Sequence, residues 1–115
     1  MKNIVIIGVS GRMGKYVHSI LDGRDGFNVV AGVNKSSQFA RVEIFRYLKD
    51  VLTKNHVDLV IDFSNVNSVE NIEIALENKI PVISGTTGYS DKEKEFLIKF
   101  AKEHNTNLMM VSNFA

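Results

Sequence analysis

Short apolar runs alternate with longer amphipathic stretches along this chain. Residues 4–8, 29–33, 59–63, 82–84 and 108–111 are brief, rich in β-branched side chains and continuously hydrophobic. Such runs are expected of strands covered by helices on both faces, the environment of a parallel sheet. Residues 42–45 form a weaker candidate for a further strand. Between the runs the period changes to that of a helix. Met13, Val17, Ile20 and Leu21 fall on one face, with Gly23 and Gly26 punctuating the end. Val69, Ile72, Ala75 and Leu76 recur at helical spacing over residues 68–78. Phe96, Leu97, Phe100 and Ala101 do the same over residues 91–104, with lysines and glutamates opposite. Ser90-Asp91-Lys92-Glu93 reads as a capping box, and Asn67-Ser68-Val69-Glu70 as a near relative of one. Pro81 stands at the mouth of a strand, where its lack of an N–H does least harm.

The sum is a βαβαβαβαβ alternation, which predicts one α/β domain: an open, doubly wound, Rossmann-like parallel sheet. Right-handed crossovers then gather the loops after the strands along one edge, beginning at Gly8, Asn34, Phe63, Gly85 and Val111. At 115 residues the chain has the length of a single domain. Its 44% hydrophobic and 23% charged content is that of an ordinary soluble globular protein. A net charge of +1 without blocks of like charge gives no case for a nucleic-acid partner. The absence of cysteine excludes disulfides and thiolate metal sites. No apolar stretch approaches the ~20 residues that cross a bilayer, and a strand begins almost at the first residue. These features lead to the expectation of a cytoplasmic protein without membrane contact.

The strongest chemical signal is Gly8-Val9-Ser10-Gly11-Arg12-Met13-Gly14, a glycine-rich turn between a strand and a helix. Helix-terminal N–H groups and the positive end of the helix dipole make such a turn attractive to a phosphate. The spacing is G-x-x-G-x-x-G, with Ser10 at the middle glycine of the commoner G-x-G-x-x-G pattern. A purely structural turn is the alternative. Asn34 follows the second strand, where dinucleotide-binding folds place an acidic residue on the adenosine ribose. A neutral Asn34 followed by Lys35, Ser36 and Ser37 removes repulsion against a 2′-phosphate and offers it partners. This favours NADPH, with NADH also possible; an ordinary polar turn is the competing reading. Asp62, flanked by apolar residues, is either a partly buried acceptor for loop N–H groups or a catalytic group. Phe63 is either core or a neighbour of the cofactor. Gly85-Thr86-Thr87-Gly88 brackets two hydroxyls with glycines, so its backbone can approach a flat ligand closely. His18, His56 and His104 read as surface residues, with no metal-ligand spacing to a carboxylate pair.

Taken in order, the Gly8–Gly14 turn, Asp62-Phe63-Ser64, Gly85-Thr86-Thr87-Gly88 and Ser112-Asn113-Phe114 resemble the N-terminal domain of the 4-hydroxy-tetrahydrodipicolinate reductase family. The resemblance spans essentially the whole chain. It implies a cofactor-binding set of Gly8, Val9, Ser10, Gly11, Arg12, Met13, Asn34, Lys35, Phe63, Gly85, Thr86, Thr87, Val111, Ser112, Asn113 and Phe114. Within that set, residues 8–13 would hold the pyrophosphate, Asn34 and Lys35 the adenosine ribose, and 85–87 the nicotinamide side. The family carries an acidic-then-basic pair at the ribose; here Asn34 takes the acidic place. Family members continue into a second, α+β domain with a His-His…Lys motif, the proton donor, the substrate clamp and the oligomerisation sheet. This chain has Ala115 in place of the serine that follows Asn-Phe. The resemblance thus implies a domain that binds cofactor without full catalysis, meets substrate only through the second domain, carries no catalytic residue of its own, and is monomeric by itself. A non-catalytic nucleotide-sensing module acting through a protein partner is the alternative.

Overall fold

The apolar runs become the strands of one parallel sheet. A computed structural model describes residues 1–9, 11–21, 24, 26–35, 42–63, 68–86 and 88–111. In chain order the elements are β1 (Lys2–Ile7), α1 (Arg12–Leu21), β2 (Phe27–Val33), β3 (Ile44–Phe45), α2 (Leu48–Leu52), β4 (Leu59–Asp62), α3 (Val69–Glu77), β5 (Val82–Ser84), α4 (Asp91–Glu103) and β6 (Leu108–Met110). The strand order is β3-β2-β1-β4-β5-β6, with every neighbouring pair parallel. Chain direction across the sheet reverses at the β1/β4 boundary, the topological switch point of a doubly wound fold.

Strand register decides which side chains share a face. Ile4, Ile6, Val29 and Ile61 lie on one side, where Val17 and Leu21 of α1 pack against them. Val5, Ile7, Ala31, Val33, Val60 and Val82 lie on the other, beneath Leu48 and Val51 of α2, Ile72, Ala75 and Leu76 of α3, and Leu97 and Ala101 of α4. Each fully buried aliphatic side chain contributes about 1.5–3 kcal/mol, so these rows dominate the cohesion of the layers. The pairing of β1 with β2 slips between Ile4 and Val5, so that Val5 opposes Ala31 rather than Val30. The slip resets the alternation and brings Gly32 to the α1 side, where a Cβ would stand 2.9 Å from that of Val9.

Two helices carry instructive ends. At α4, Ser90 Oγ accepts from the Glu93 N–H (3.1 Å) and Glu93 Oε1 from the Ser90 N–H (2.8 Å), the expected capping box. At α3 the cap residue is Ser68, and its side chain makes no capping bond; its hydroxyl is engaged elsewhere, as described below. The second crossover also differs from the sequence reading. The weak candidate at 42–45 forms β3 only at Ile44 and Phe45, and the short helix α2 follows it, burying Leu48 and Val51 completely. Among the described residues, no helix is long and apolar enough to cross a membrane.

Candidate functional site

The five predicted loop starts lie along one edge of the sheet, each tied to a neighbouring strand by its backbone N–H. Gly8 donates to Val33 O (2.7 Å), Asn34 to Phe45 O (2.9 Å), Phe63 to Ile7 O (2.9 Å), Gly85 to Asp62 O (2.8 Å) and Val111 to Ser84 O (2.8 Å). These bonds extend the ladders by one residue and hold the carboxyl ends of the strands in line.

At the first of these ends, Gly8 has φ of 81°, a conformation that costs a residue with a Cβ. The turn closes through the Gly11 N–H on Gly8 O (3.0 Å), and Lys15 N–H then bonds Gly11 O (2.9 Å) as α1 begins. The N–H groups of Arg12, Met13 and Gly14 therefore belong to the first turn, where the helix supplies no acceptor. Gly14 is buried, and a Cβ on it would run into the Gly8 carbonyl and stand 2.8 Å from Val9 Cα. The helix start thus sits on the turn itself, which brings its dipole end directly to the edge of the sheet. A Cβ on exposed Gly11 would lie 3.3 Å from Gly8 O. Arg12 is exposed at the first helical position, Met13 is half-buried, and the Val9 side chain is buried against the sheet. The glycines therefore divide the work: Gly8 makes the turn, Gly14 admits the helix, and Gly11 presents exposed backbone without a side chain.

β3 fixes the second end by accepting the Asn34 N–H, leaving Asn34 half-buried and Lys35 exposed beside it. At the fourth strand, Phe63 is half-buried and packs on the α1-side cluster with Ile4, Ile6 and Ile61, so it has at least a core role. Asp62 is completely buried, where the sequence reading expected partial burial. Hydroxyls surround its Oδ2: Ser84 Oγ (2.8 Å), Thr86 Oγ1 (2.9 Å) and Tyr89 OH (2.9 Å) donate to it, and Ser68 Oγ lies 3.3 Å away. Burial, followed by the Asp62 charge, raises the Tyr89 phenol above its ordinary value of 10.0, which keeps it a donor. Sequence reasoning did not single out Ser68, Ser84 or Tyr89. The available signal was positional, because Ser84 stands beside Asp62 in the β4–β5 register.

Ser10, Ser36, Ser37, Ser64, Thr87, Ser112, Asn113 and Phe114 lie outside the described residues. The histidines divide. His56 is exposed, with Nε2 2.9 Å from Asp58 Oδ1, as expected of a surface residue. His104 is half-buried at the end of α4, with Nδ1 2.8 Å from Phe100 O. His18 is buried, contrary to the surface reading, because it lies one turn beyond Gly14 on the inward face of α1.

The family described as "Dihydrodipicolinate reductase, N-terminus" matches residues 2–114. The chain is 36% identical over 104 residues to the 4-hydroxy-tetrahydrodipicolinate reductase of Caldanaerobacter subterraneus subsp. tengcongensis, covering 90% of this chain and 41% of that protein. It is 30% identical over 127 residues to the Carboxydothermus hydrogenoformans enzyme of the same name, covering 100% of this chain and 48% of that one. The chain thus spans less than half the length of these relatives. Among solved structures, the dipicolinate-bound dihydrodipicolinate reductase of Paenisporosarcina sp. TG-14 superposes with a TM-score of 0.88 at 20% identity, covering 100% of this chain and 48% of that one. At that identity the superposition establishes the fold, and it is the family match over residues 2–114 that establishes kinship: the chain belongs to the dihydrodipicolinate reductase N-terminal domain family.

Proposed function

We propose that this chain is the nicotinamide-dinucleotide-binding part of a dihydrodipicolinate reductase and binds NADPH in preference to NADH. The observation that carries the reading is the Gly8–Gly14 turn, seated with the N-terminus of α1 beside the β1/β4 switch point of a 3-2-1-4-5-6 sheet. The family match supports a nicotinamide cofactor, and the local chemistry fits one. The first-turn N–H groups of α1 suit a pyrophosphate. Arg12, exposed beside them, suits a further phosphate oxygen. Asn34 and Lys35, at the end of β2, suit the adenosine ribose and its 2′-phosphate. Gly85 and Thr86 bring their backbone to the other side of the switch point, and Val111 closes that side of the row. When bound, the cofactor supplies a hydride; in the complete enzyme its acceptor would be dihydrodipicolinate, yielding tetrahydrodipicolinate. The chain by itself is expected to bind and orient the dinucleotide in the cytoplasm without sustained turnover.

Saturating NADPH or NADH should raise the melting temperature of the chain. Ligand at about 100 times Kd adds ~2.7 kcal/mol to the folded state. A melting temperature unmoved by millimolar concentrations of either would remove the cofactor reading. Substrate-dependent NADPH oxidation by this chain alone at ~1 s⁻¹ or faster would contradict the division between binding and catalysis.

A further inference from the structure

Asp62 is an unexpected residue for its place. Its row across the sheet runs Ile7–Asp62–Ser84–Met110, and Val60 two residues earlier is fully buried hydrocarbon. A carboxylate buried at such a position is costly unless it is well provided with donors. The hydroxyls around it supply them. Ser84, Thr86 and Tyr89 each place their proton on Asp62 Oδ2 at 2.8–2.9 Å. The Tyr89 oxygen is then left as an acceptor, and Ser68 Oγ lies 2.7 Å from it, closer than its 3.3 Å to Asp62. In that arrangement every hydroxyl proton has an acceptor. It also explains why Ser68 does not cap α3.

The cluster converges on one short segment. Gly85 N–H bonds the Asp62 carbonyl (2.8 Å), Thr86 N–H reaches Ser84 Oγ (3.4 Å), and Thr86 Oγ1 bonds the Asp62 carboxylate. Backbone and side chain of residues 85 and 86 are therefore held by the same two residues. Tyr89, six per cent exposed, adds its hydroxyl to the same Asp62 Oδ2 from the segment leading into α4. The segment lies at the carboxyl ends of β4 and β5. The glycine turn follows β1, and Asn34 and Lys35 follow β2, across the switch point.

We propose that Asp62 and Tyr89 are positioning residues: the hydroxyl cluster presets Gly85–Thr86 for the nicotinamide half of the dinucleotide and has no part in holding the adenosine half. This rests on the dinucleotide reading above. A preset segment loses less conformational freedom on binding than a loose one, so its effect appears as affinity. That effect is confined to ligands that reach it.

The test compares NADPH with the same molecule lacking its nicotinamide ring, 2′-phospho-ADP-ribose. Both are titrated into the parent, Tyr89→Phe, Thr86→Val and Thr86→Ser, with melting temperatures measured alongside. Tyr89→Phe is the decisive variant, because its hydroxyl is buried on Asp62 and Ser68. Tyr89→Phe and Thr86→Val should each weaken NADPH binding about tenfold while the ring-free ligand keeps the parent affinity, and Thr86→Ser should recover NADPH affinity. Should Tyr89→Phe fail to fold, Thr86→Val and its serine rescue carry the comparison. Unchanged NADPH affinity in Tyr89→Phe, or equal losses for both ligands, would overturn the positioning role and leave the dinucleotide reading intact. A parent that binds neither ligand would instead bring down that reading and, with it, this proposal.

Discussion

Gly8, Gly11 and Gly14 look equivalent in the sequence, and the structure gives each a separate task with a separate consequence. Gly14→Ala puts a methyl group into the Gly8 carbonyl, between two backbones that cannot both stay in place. Overpacking of that kind costs about 1–3 kcal/mol, so chemical denaturation should show a lower midpoint for this variant. Gly11 is exposed, and its nearest obstruction is a single carbonyl 3.3 Å away. Gly11→Val should therefore lower nucleotide affinity about tenfold, more than its change in melting temperature explains. Parent-like affinity would show that phosphate does not approach there. Lys35, exposed after β2, acts through its charge. An exposed pair is worth up to ~1 kcal/mol and a charge-assisted phosphate contact ~2–3, so the preference for NADPH should be about tenfold and should shrink with added salt. Lys35→Ala should cost NADPH affinity and spare NADH; equal losses would place Lys35 away from the ribose.

The elements follow from the sequence unevenly, and the reasons are physical. Strands buried on both faces announce themselves as Val- and Ile-rich runs, which is why β1, β2, β4 and β5 were legible; the edge strand β6, Leu-Met-Met with Met109 exposed, showed only as a short apolar run after a helix. The capping box of α4 was legible because both partners are local. Ser90→Ala should cost ~1 kcal/mol, measurable by denaturation. The helix α2 was not anticipated, since five residues give the helical period little room to show. The capping pattern at α3 begins at Asn67, which lies outside the described residues, and the cap residue is Ser68 instead; its hydroxyl serves Asp62 and Tyr89, and local spacing carries no trace of those contacts. On α3, Glu73 has Glu70 and Glu77 one turn away on either side, and burial followed by those charges raises its carboxyl above the ordinary value of 4.5. A carboxyl that holds its proton more tightly in the folded state loses stability as pH rises through that raised range. Glu73→Gln should therefore be more stable than the parent near neutral pH, by about 0.5 kcal/mol. The gain should vanish as the pH falls below 4.5, where the parent side chain is neutral too.

At the scale of the whole molecule, strand order matters more than any single motif. An order of 3-2-1-4-5-6 puts a topological switch point between β1 and β4, the place where folds of this kind bind their ligands, and Gly8, Asn34, Gly85 and Val111 begin the loops along that edge. The alternation of elements implied such an edge in advance. Asp62 was legible as a buried acceptor, but the hydroxyls that serve it emerged only from packing, because Ser68, Ser84 and Tyr89 are scattered in the sequence. On the proposed function, a nicotinamide dinucleotide lies along this edge, across the switch point. Amide chemical-shift mapping of the 12.9 kDa chain during titration with NADPH tests it most directly. The amides of Gly8, Gly11, Arg12, Asn34, Lys35, Gly85, Thr86 and Val111 should shift together and saturate at one ligand per chain. Those of Lys2, His56 and Asn107, at the amino ends of β1, β4 and β6, should stay still. Shifts centred on the amino ends, or none at millimolar NADPH or NADH, would contradict this placement of the dinucleotide.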